Sequence, residues 1–208
     1  MMEPNDKNAF EVVRQFERRI AKYAGSKYAV AVDSCTNALF LSCMYLNVKG
    51  HEIILPKRTY VSVPQSVIHA GGKVKFKDIN WKGTYRLDPF PIVDGAKRFT
   101  KGMYEKGTLH CLSFHMKKIL DIGRGGAILT DDEEAVEWFK QARFDGRHEV
   151  PLHHDEFKIL GWNMYITPEQ AGRGLWKMMG LPEHNEDQTE NPPYPDLSKY
   201  TIFTEANR

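Results

Sequence analysis

Short apolar runs alternate with segments of helical character, and this alternation constrains the fold more than any other feature of the sequence. Residues 28–32 and 52–56 are apolar runs suited to buried strands. Residues 10–23 and 36–46 have helical spacing, and residues 61–70 are predicted as a further helix that ends at two glycines. Strands separated by helices favour parallel pairing, so the sequence predicts an α/β fold with a largely parallel sheet.

The second half of the chain continues this alternation less regularly. Residues 80–89 are rich in turn-forming residues and are predicted as a break, and residues 148–157 as a loop. Acidic residues open a predicted helix at 131–143, and Thr167 with Pro168 starts another that runs to about residue 179. Further strands are predicted at residues 73–78, 92–94, 109–114 and 126–130.

Composition excludes several classes of protein. The 208 residues, 41% apolar and 27% charged, suit one globular domain. A net charge of +2 is too balanced for nucleic acid or a membrane surface as the main partner, and no apolar run is long enough for a membrane span. Residues 1–10 lack the apolar core of a secretory signal. The three cysteines, Cys35, Cys43 and Cys111, lack metal-ligand spacing, so we expect reduced thiols, no metal site and a cytoplasmic protein.

Three polar segments follow predicted strands and carry candidate chemistry. Backbone N–H groups at the helix start of residues 33–38 can bind a phosphate, although the same residues also suit a plain helix cap. Asp94 ends an apolar strand, where a carboxylate either faces the ligand crevice or caps a turn. Lys117 and Lys118 follow the next strand. A lysine there can hold an aldehyde cofactor covalently, or both are solvated loop residues.

Taken together and in order, these segments resemble the DegT-type family of sugar aminotransferases, which use pyridoxal 5'-phosphate (PLP). The resemblance runs from about residue 16 to residue 180, with one internal gap. It is carried by Ser-Phe-His-x-x-Lys at 113–118, Asp-Gly-Ala-Lys at 94–97 and Asp-Ser-Cys-Thr-Asn-Ala-Leu at 33–39. Further matches are Tyr-Ala-Gly-Ser-Lys-Tyr-Ala-Val-Ala-Val at 23–32, Gly-Arg-Gly-Gly at 123–126, Gly-Trp-Asn at 161–163 and Gln-Ala at 170–171.

The resemblance implies a role for each matching residue. Lys118 would bind the cofactor covalently and act as base and acid, and Asp94 would support the charge on the pyridine ring. Asn163 would reach the cofactor phosphate of the neighbouring subunit. Arg124 and Arg147 are further candidates, for a substrate carboxylate or diphosphate. The other implied cofactor-binding residues are Ser34, Cys35, Thr36 and Asn37 in the phosphate turn, Tyr60 over the ring, Lys97 at its oxygen, Ser113 at the phosphate, and His115, which also suits a buried structural histidine.

The sequence departs from the family pattern in four ways. Cys35 replaces a glycine of the phosphate turn, Lys97 replaces a glutamine or histidine, and Tyr165 replaces an arginine. The chain is also shorter, because residues 80–90 bridge a region in which relatives have a further strand and helices, and the small C-terminal domain that covers the substrate is largely absent. We expect a site without that cover to be wetter.

The implied fold is a three-layer sandwich: a fold type I PLP-transferase-like large domain at residues 1–180, followed by a tail at 181–208 that is irregular or docked on a partner. The resemblance implies a homodimer with shared active sites. It also implies amino transfer from glutamate or a similar donor to a keto sugar nucleotide, in deoxyamino sugar and polysaccharide biosynthesis.

Two alternatives to this function stay open. The chain is a non-catalytic or split protein that binds PLP or a partner, or it is a PLP-dependent sugar enzyme of another reaction type. A related deoxysugar dehydratase has histidine in place of the lysine, so Lys118 argues against dehydration.

Overall fold

The computed structural model describes residues 10–205. The prediction for residues 1–9 and the outer limits of the expected domain and tail lie outside this range. The division between the domain and the tail at residue 180 stays a prediction. The helices are α1 (Glu11–Ala24), α2 (Cys35–Tyr45), α3 (Ser62–His69), α4 (Glu133–Ala142), α5 (Pro168–Met178) and α6 (Thr201–Glu205). Short 3-10 turns span Leu152–His154 and Leu197–Lys199.

The strands form two sheets. Their bounds are β1 (Tyr28–Val32), β2 (Glu52–Pro56), β3 (Lys73–Lys77), β4 (Tyr85–Arg86), β5 (Ile92–Asp94), β6 (Leu109–Ser113) and β7 (Gly126–Thr130). The larger sheet has the order β1-β7-β6-β5-β4, and β2 pairs in parallel with β3 in a separate two-stranded sheet. These elements place nearly every predicted helix and strand within a residue or two of its expected bounds.

Pairing in the larger sheet corrects the expectation of a largely parallel sheet. Only β5 and β6 are parallel neighbours, whereas β1–β7, β6–β7 and β4–β5 are antiparallel. Parallel neighbours need a long crossover, usually a helix, but no helix lies between β6 and β7 or between β4 and β5. The chain therefore turns back at both places, and the sheet is mixed.

The predicted break at residues 80–89 contains a strand that joins the two sheets. Tyr85 and Arg86 form β4 and pair with β5. Two residues later, the carbonyl oxygen of Asp88 accepts a hydrogen bond of 2.8 Å from the N–H of Ile54 in β2. This short segment thus lies between the sheets and covers the edge that the expected strand deletion would expose.

Helices cover both faces of the larger sheet, which confirms the three-layer α/β arrangement. Successive residues of β1 point to opposite faces: Val30 and Val32 belong to one hydrophobic cluster with residues of α2, α3 and α4, while Ala29 and Ala31 belong to another with residues of α1 and α5. Phe16 of α1 is fully buried in the second layer, a burial that contributes about 1.5–3 kcal/mol.

The sequence sets the helix ends through specific caps. Thr167 and Gln170 form a reciprocal capping box at the start of α5, with Pro168 in its first turn. Asp132 accepts hydrogen bonds from the first N–H groups of α4. Gly25 ends α1 at φ 85°, a backbone conformation that glycine adopts at little cost.

The tail packs against its own chain. The carbonyl oxygen of Glu183 accepts from the N–H of Lys101, and the N–H of Leu197 donates to the carbonyl oxygen of Lys57. These backbone bonds hold an irregular segment across the domain, and docking of the tail on a partner stays a prediction. Within residues 10–205, no helix is both long and apolar enough to cross a bilayer.

Candidate active site

A cavity of about 310 Å³ lies where β5 and β6 end and α2 begins. Nine of the eleven predicted site residues line it: Ser34, Cys35, Thr36, Tyr60, Asp94, Lys97, Ser113, His115 and Lys118. The fold therefore brings together motifs that lie far apart in the sequence. His115 is exposed, so its alternative interpretation as a buried structural histidine is wrong.

Lys118 is a half-buried lysine in the segment between β6 and β7. Its N–H donates to the carbonyl oxygen of His115 at 2.8 Å, which fixes the turn that carries it. Among the described residues, no hydrogen bond or ion pair holds its side-chain amine. Burial lowers the pKa of Lys118, and the positive charge of Lys97 lowers this pKa further. Both effects favour the neutral amine, which is the nucleophilic form.

Asp94 is buried at the end of β5 and accepts two hydrogen bonds. Its Oδ1 accepts from the N–H of Ala96 at 2.9 Å, and its Oδ2 accepts from the hydroxyl of Tyr85 at 2.7 Å. Because the Tyr85 hydroxyl proton is donated to Asp94, the Tyr85 oxygen acts as the acceptor for the hydroxyl of Thr59, which lies 2.5 Å away. Burial raises the pKa of Asp94, while the two direct hydrogen bonds lower it. Sequence reasoning missed Tyr85, because it lies in the segment predicted as a break.

The start of α2 forms the predicted phosphate turn. Ser34 is the helix cap, and its Oγ accepts from the N–H of Asn37 at 3.2 Å. The first N–H groups of a helix lack intrahelical partners and suit an anion. Gly126 lets β7 approach this turn closely, since a Cβ there would lie 2.5 Å from the carbonyl carbon of Ser34 and 2.6 Å from the nitrogen of Cys35. The helix cap is therefore confirmed, and phosphate binding at this turn stays a prediction.

Two predicted site residues do not line the cavity. The side-chain amide of Asn37 donates to Asp33 at 2.6 Å, and this bond accounts for its place outside the lining. Asn163 is exposed and donates to Asp145 at 3.2 Å. Its expected contact involves a neighbouring subunit, so that role stays a prediction.

The two candidate arginines differ in position. Arg124 lines the cavity and forms an ion pair of 2.7 Å with Asp33. Arg147 lies outside the lining, 5.0 Å from the ring centre of Phe144 and 3.8 Å from a carboxylate oxygen of Asp155. Of the two, only Arg124 is placed to meet a ligand in this cavity.

The tail supplies two cavity residues that sequence reasoning missed. Glu190 accepts a hydrogen bond from the ammonium of Lys97, and the ring of Tyr194 stacks with that of Trp81 at 6.5 Å and an angle of 12°. Tyr60 meets Tyr194 edge to face at 6.2 Å. The tail therefore lines one side of the cavity, and the expectation of a wetter site stays a prediction.

These groups fit PLP. Among residues 10–205 the Lys118 amine has no hydrogen-bond or ion-pair partner, a buried carboxylate at a strand end suits a pyridine nitrogen, and the start of α2 lines the same cavity, where its first N–H groups suit a phosphate. A lysine and an aspartate on neighbouring strand ends around a helix N-terminus define the cofactor-binding domain of a PLP-dependent enzyme.

The chain belongs to the DegT/DnrJ/EryC1/StrS aminotransferase family, whose model matches residues 7–104 and 95–194. This match confirms the family predicted from the motifs and, with it, PLP as the cofactor. The spore coat polysaccharide biosynthesis protein SpsC of Bacillus subtilis is 25% identical over 86% of this chain and 59% of its own length. The GDP-perosamine synthase of Caulobacter vibrioides is 26% identical over 82% of this chain and 57% of its own length.

Solved structures confirm the fold. An aminotransferase from Psychrobacter cryohalolentis superposes with a TM-score of 0.70 at 21% identity, over 81% of this chain and 56% of that one. A 3-amino-5-hydroxybenzoic acid synthase gives a TM-score of 0.69 at 22% identity, over 82% of this chain and 56% of that one. The chain thus spans less than three fifths of the length of these relatives.

Proposed function

We propose that this protein is a PLP-dependent aminotransferase that moves an amino group from glutamate or a similar donor to a keto sugar attached to a nucleotide. The observation that carries the proposal is the convergence of Lys118 and Asp94 on one cavity beside the start of α2. The names of the relatives SpsC and GDP-perosamine synthase support the sugar substrate. The cytoplasmic location and the homodimer with shared sites stay predictions.

Each residue has a physical task in this proposal. When bound, PLP supplies an electron sink for the carbon that carries the amino group. Asp94 is buried and fixed by two hydrogen bonds, so its charge faces a ring nitrogen without reorganisation. Lys118, once its amine is free, takes a proton from the donor carbon and returns it as an acid. Ser113 and the start of α2 bind the phosphate, and Tyr194 limits access of water.

The test begins with cofactor attachment. The purified chain mixed with PLP should acquire the absorbance of the bound cofactor, and borohydride should fix the cofactor on the peptide that contains Lys118. Lys118→Ala should lose the attachment. Lys117→Ala is the matched control, since it removes a neighbouring exposed amine. Attachment that depends on Lys117 and not on Lys118 would refute the assignment.

Turnover is tested separately with excess glutamate. Conversion of the bound cofactor to pyridoxamine phosphate, followed by its return to PLP with a keto sugar nucleotide, supports the aminotransferase. A cofactor that attaches to Lys118 yet is not converted by any amino acid would instead support the alternative of a PLP-binding protein without turnover.

A further inference from the structure

Lys97 is a buried cation whose implied partner is the oxygen of the cofactor ring, and its ammonium has three donors, so it can bind a second acceptor beside that oxygen. It follows β5, is 8% exposed and lines the cavity together with Lys118. Its ammonium donates to a carboxylate oxygen of Glu190 and lies 5.5 Å from the ring centre of Tyr194. The positive charge of Lys97 is thus paired with the carboxylate of Glu190, which lies 93 residues further along the chain.

The segment that delivers this carboxylate is anchored independently of it. The N–H of Gln188 donates to the carbonyl oxygen of Lys97 at 2.8 Å, and its side-chain amide donates to the carbonyl oxygen of Lys117 at 3.0 Å. Asp187 forms two hydrogen bonds of 2.7 Å with Arg98. The Glu190 side chain is 41% exposed, so it can leave the cavity while these anchors stay in place.

We propose that Lys97 binds the carboxylate of the amino donor, and that Glu190 occupies this position until the donor arrives. The inference rests on the proposed function and names the donor-recognition residue of that site. Glu190 itself shows that a carboxylate reaches this ammonium from the cavity side. An α-amino acid carries its amine and carboxylate on one carbon, so binding at Lys97 keeps the amine in the cavity of Lys118.

The chemistry at Lys97 favours a carboxylate over the diphosphate of the sugar nucleotide. One ammonium balances one carboxylate, whereas a diphosphate needs several donors. Arg124, the arginine in the lining, is 67% exposed and already paired with Asp33. We therefore assign the carboxylate of the amino donor to Lys97. The experiment below distinguishes this ligand from a diphosphate.

The test measures binding of glutarate, a dicarboxylate without an amine, to the full chain free of PLP. Calorimetry should show that Glu190→Gln binds glutarate about tenfold more tightly than the wild type, because the internal competitor has lost its charge. Glu186→Gln is the matched control on the same segment: its side chain is 83% exposed and pairs with His184, so glutarate affinity should not change. Lys97→Gln should abolish the binding in both backgrounds.

Tryptophan fluorescence provides a second measurement, which reports on the tail. Tyr194 stacks with Trp81 and its ring centre lies 5.5 Å from the Lys97 ammonium, so exchange of the Glu190 carboxylate for glutarate should change tryptophan fluorescence, and Trp81→Phe should remove this change. Equal glutarate affinity in wild type and Glu190→Gln overturns the inference, as does binding that survives Lys97→Gln. A gain in affinity for uridine diphosphate rather than glutarate in Glu190→Gln overturns it as well.

This result is separable from the proposed function. A cofactor adduct on Lys118 without the glutarate response would refute the present inference alone. The glutarate response without an adduct would refute the proposed aminotransferase and the donor role of Lys97 with it, leaving a carboxylate-binding position of other use.

Discussion

Replacement of Gly126 by alanine should both destabilise the protein and disturb the phosphate turn. The added Cβ would lie 2.5 Å from the carbonyl carbon of Ser34, 2.6 Å from the nitrogen of Cys35 and 2.8 Å from the carbonyl oxygen of Leu112. All three neighbours are backbone atoms, which no side-chain rotation can move aside. The conflict must therefore be relieved by separating β7 from the start of α2.

The magnitude follows from two opposing effects. Overpacking of this kind costs about 1–3 kcal/mol. Alanine also restricts the unfolded chain, which offsets about 0.4–1 kcal/mol of that cost. The two ranges leave a net loss of about 0–2.6 kcal/mol in the free energy of unfolding. Because all three close contacts are with backbone atoms, we expect the upper part of this range, about 1–2.6 kcal/mol. Urea denaturation followed by circular dichroism measures this loss as a lower midpoint with an unchanged slope.

The matched control is Gly172→Ala. Gly172 lies inside α5, and a Cβ there would meet no atom within 4 Å, so alanine should stabilise the helix by about 0.5–1 kcal/mol. Gly126→Ala should also weaken PLP binding, because its steric conflict lies at the phosphate turn. Wild-type stability and cofactor affinity in Gly126→Ala would refute the argument from close approach.

Three further changes test buried groups. His110 is fully buried, its ring nitrogens lack hydrogen-bond partners among the described residues, and burial lowers its pKa from 6.5 to about 4. Between pH 6.5 and 4 the unfolded chain therefore binds one more proton at His110 than the folded chain, and the free energy of unfolding should fall by about 3 kcal/mol over this pH range. His110→Leu should flatten this part of the plot of stability against pH. An unchanged plot would contradict the conclusion that His110 is buried without its proton. Glu17→Gln should cost about 3–5 kcal/mol in urea denaturation, because it leaves the buried guanidinium of Arg143 with only the longer ion pair of 3.7 Å to Glu149, whereas adding Arg143→Met should recover most of the loss. Tyr85→Phe removes a donor from buried Asp94 and should cost about 1–3 kcal/mol while weakening PLP attachment; unchanged attachment would show that the hydroxyl does not position the carboxylate.

Strong local patterns explain what the sequence predicted. The apolar runs at β1 and β6 have few polar interruptions, and Pro168 with Thr167 fixes the start of α5, so these elements follow from local chemistry. The cavity lining followed from ordered motifs, because strand ends on one edge of a sheet bring Asp94 and Ser113 together. Each of these predictions depends on residues close in sequence or on the order of elements.

Long-range contacts explain what the sequence did not predict. β4 has only two residues, too few for a periodic signal, and its pairing is set by the neighbouring strand. Glu190 and Tyr194 lie in a polar, proline-rich segment with no period to interpret. Their place in the cavity depends on anchors such as the Arg98–Asp187 pair, which only the folded chain creates.

The joint between the two sheets has a mechanical consequence for the cavity. Lys118 and Asp94 are carried by the larger sheet, whereas Tyr60 follows β2, whose described backbone link to that sheet is the bond between Ile54 and Asp88. A continuous sheet would hold both walls rigidly. Here one described backbone bond joins the sheets, so the distance between the aromatic wall and the lysine wall depends on the apolar side chains that β2, β3 and the larger sheet bury in one common core, and not on continuous strand pairing.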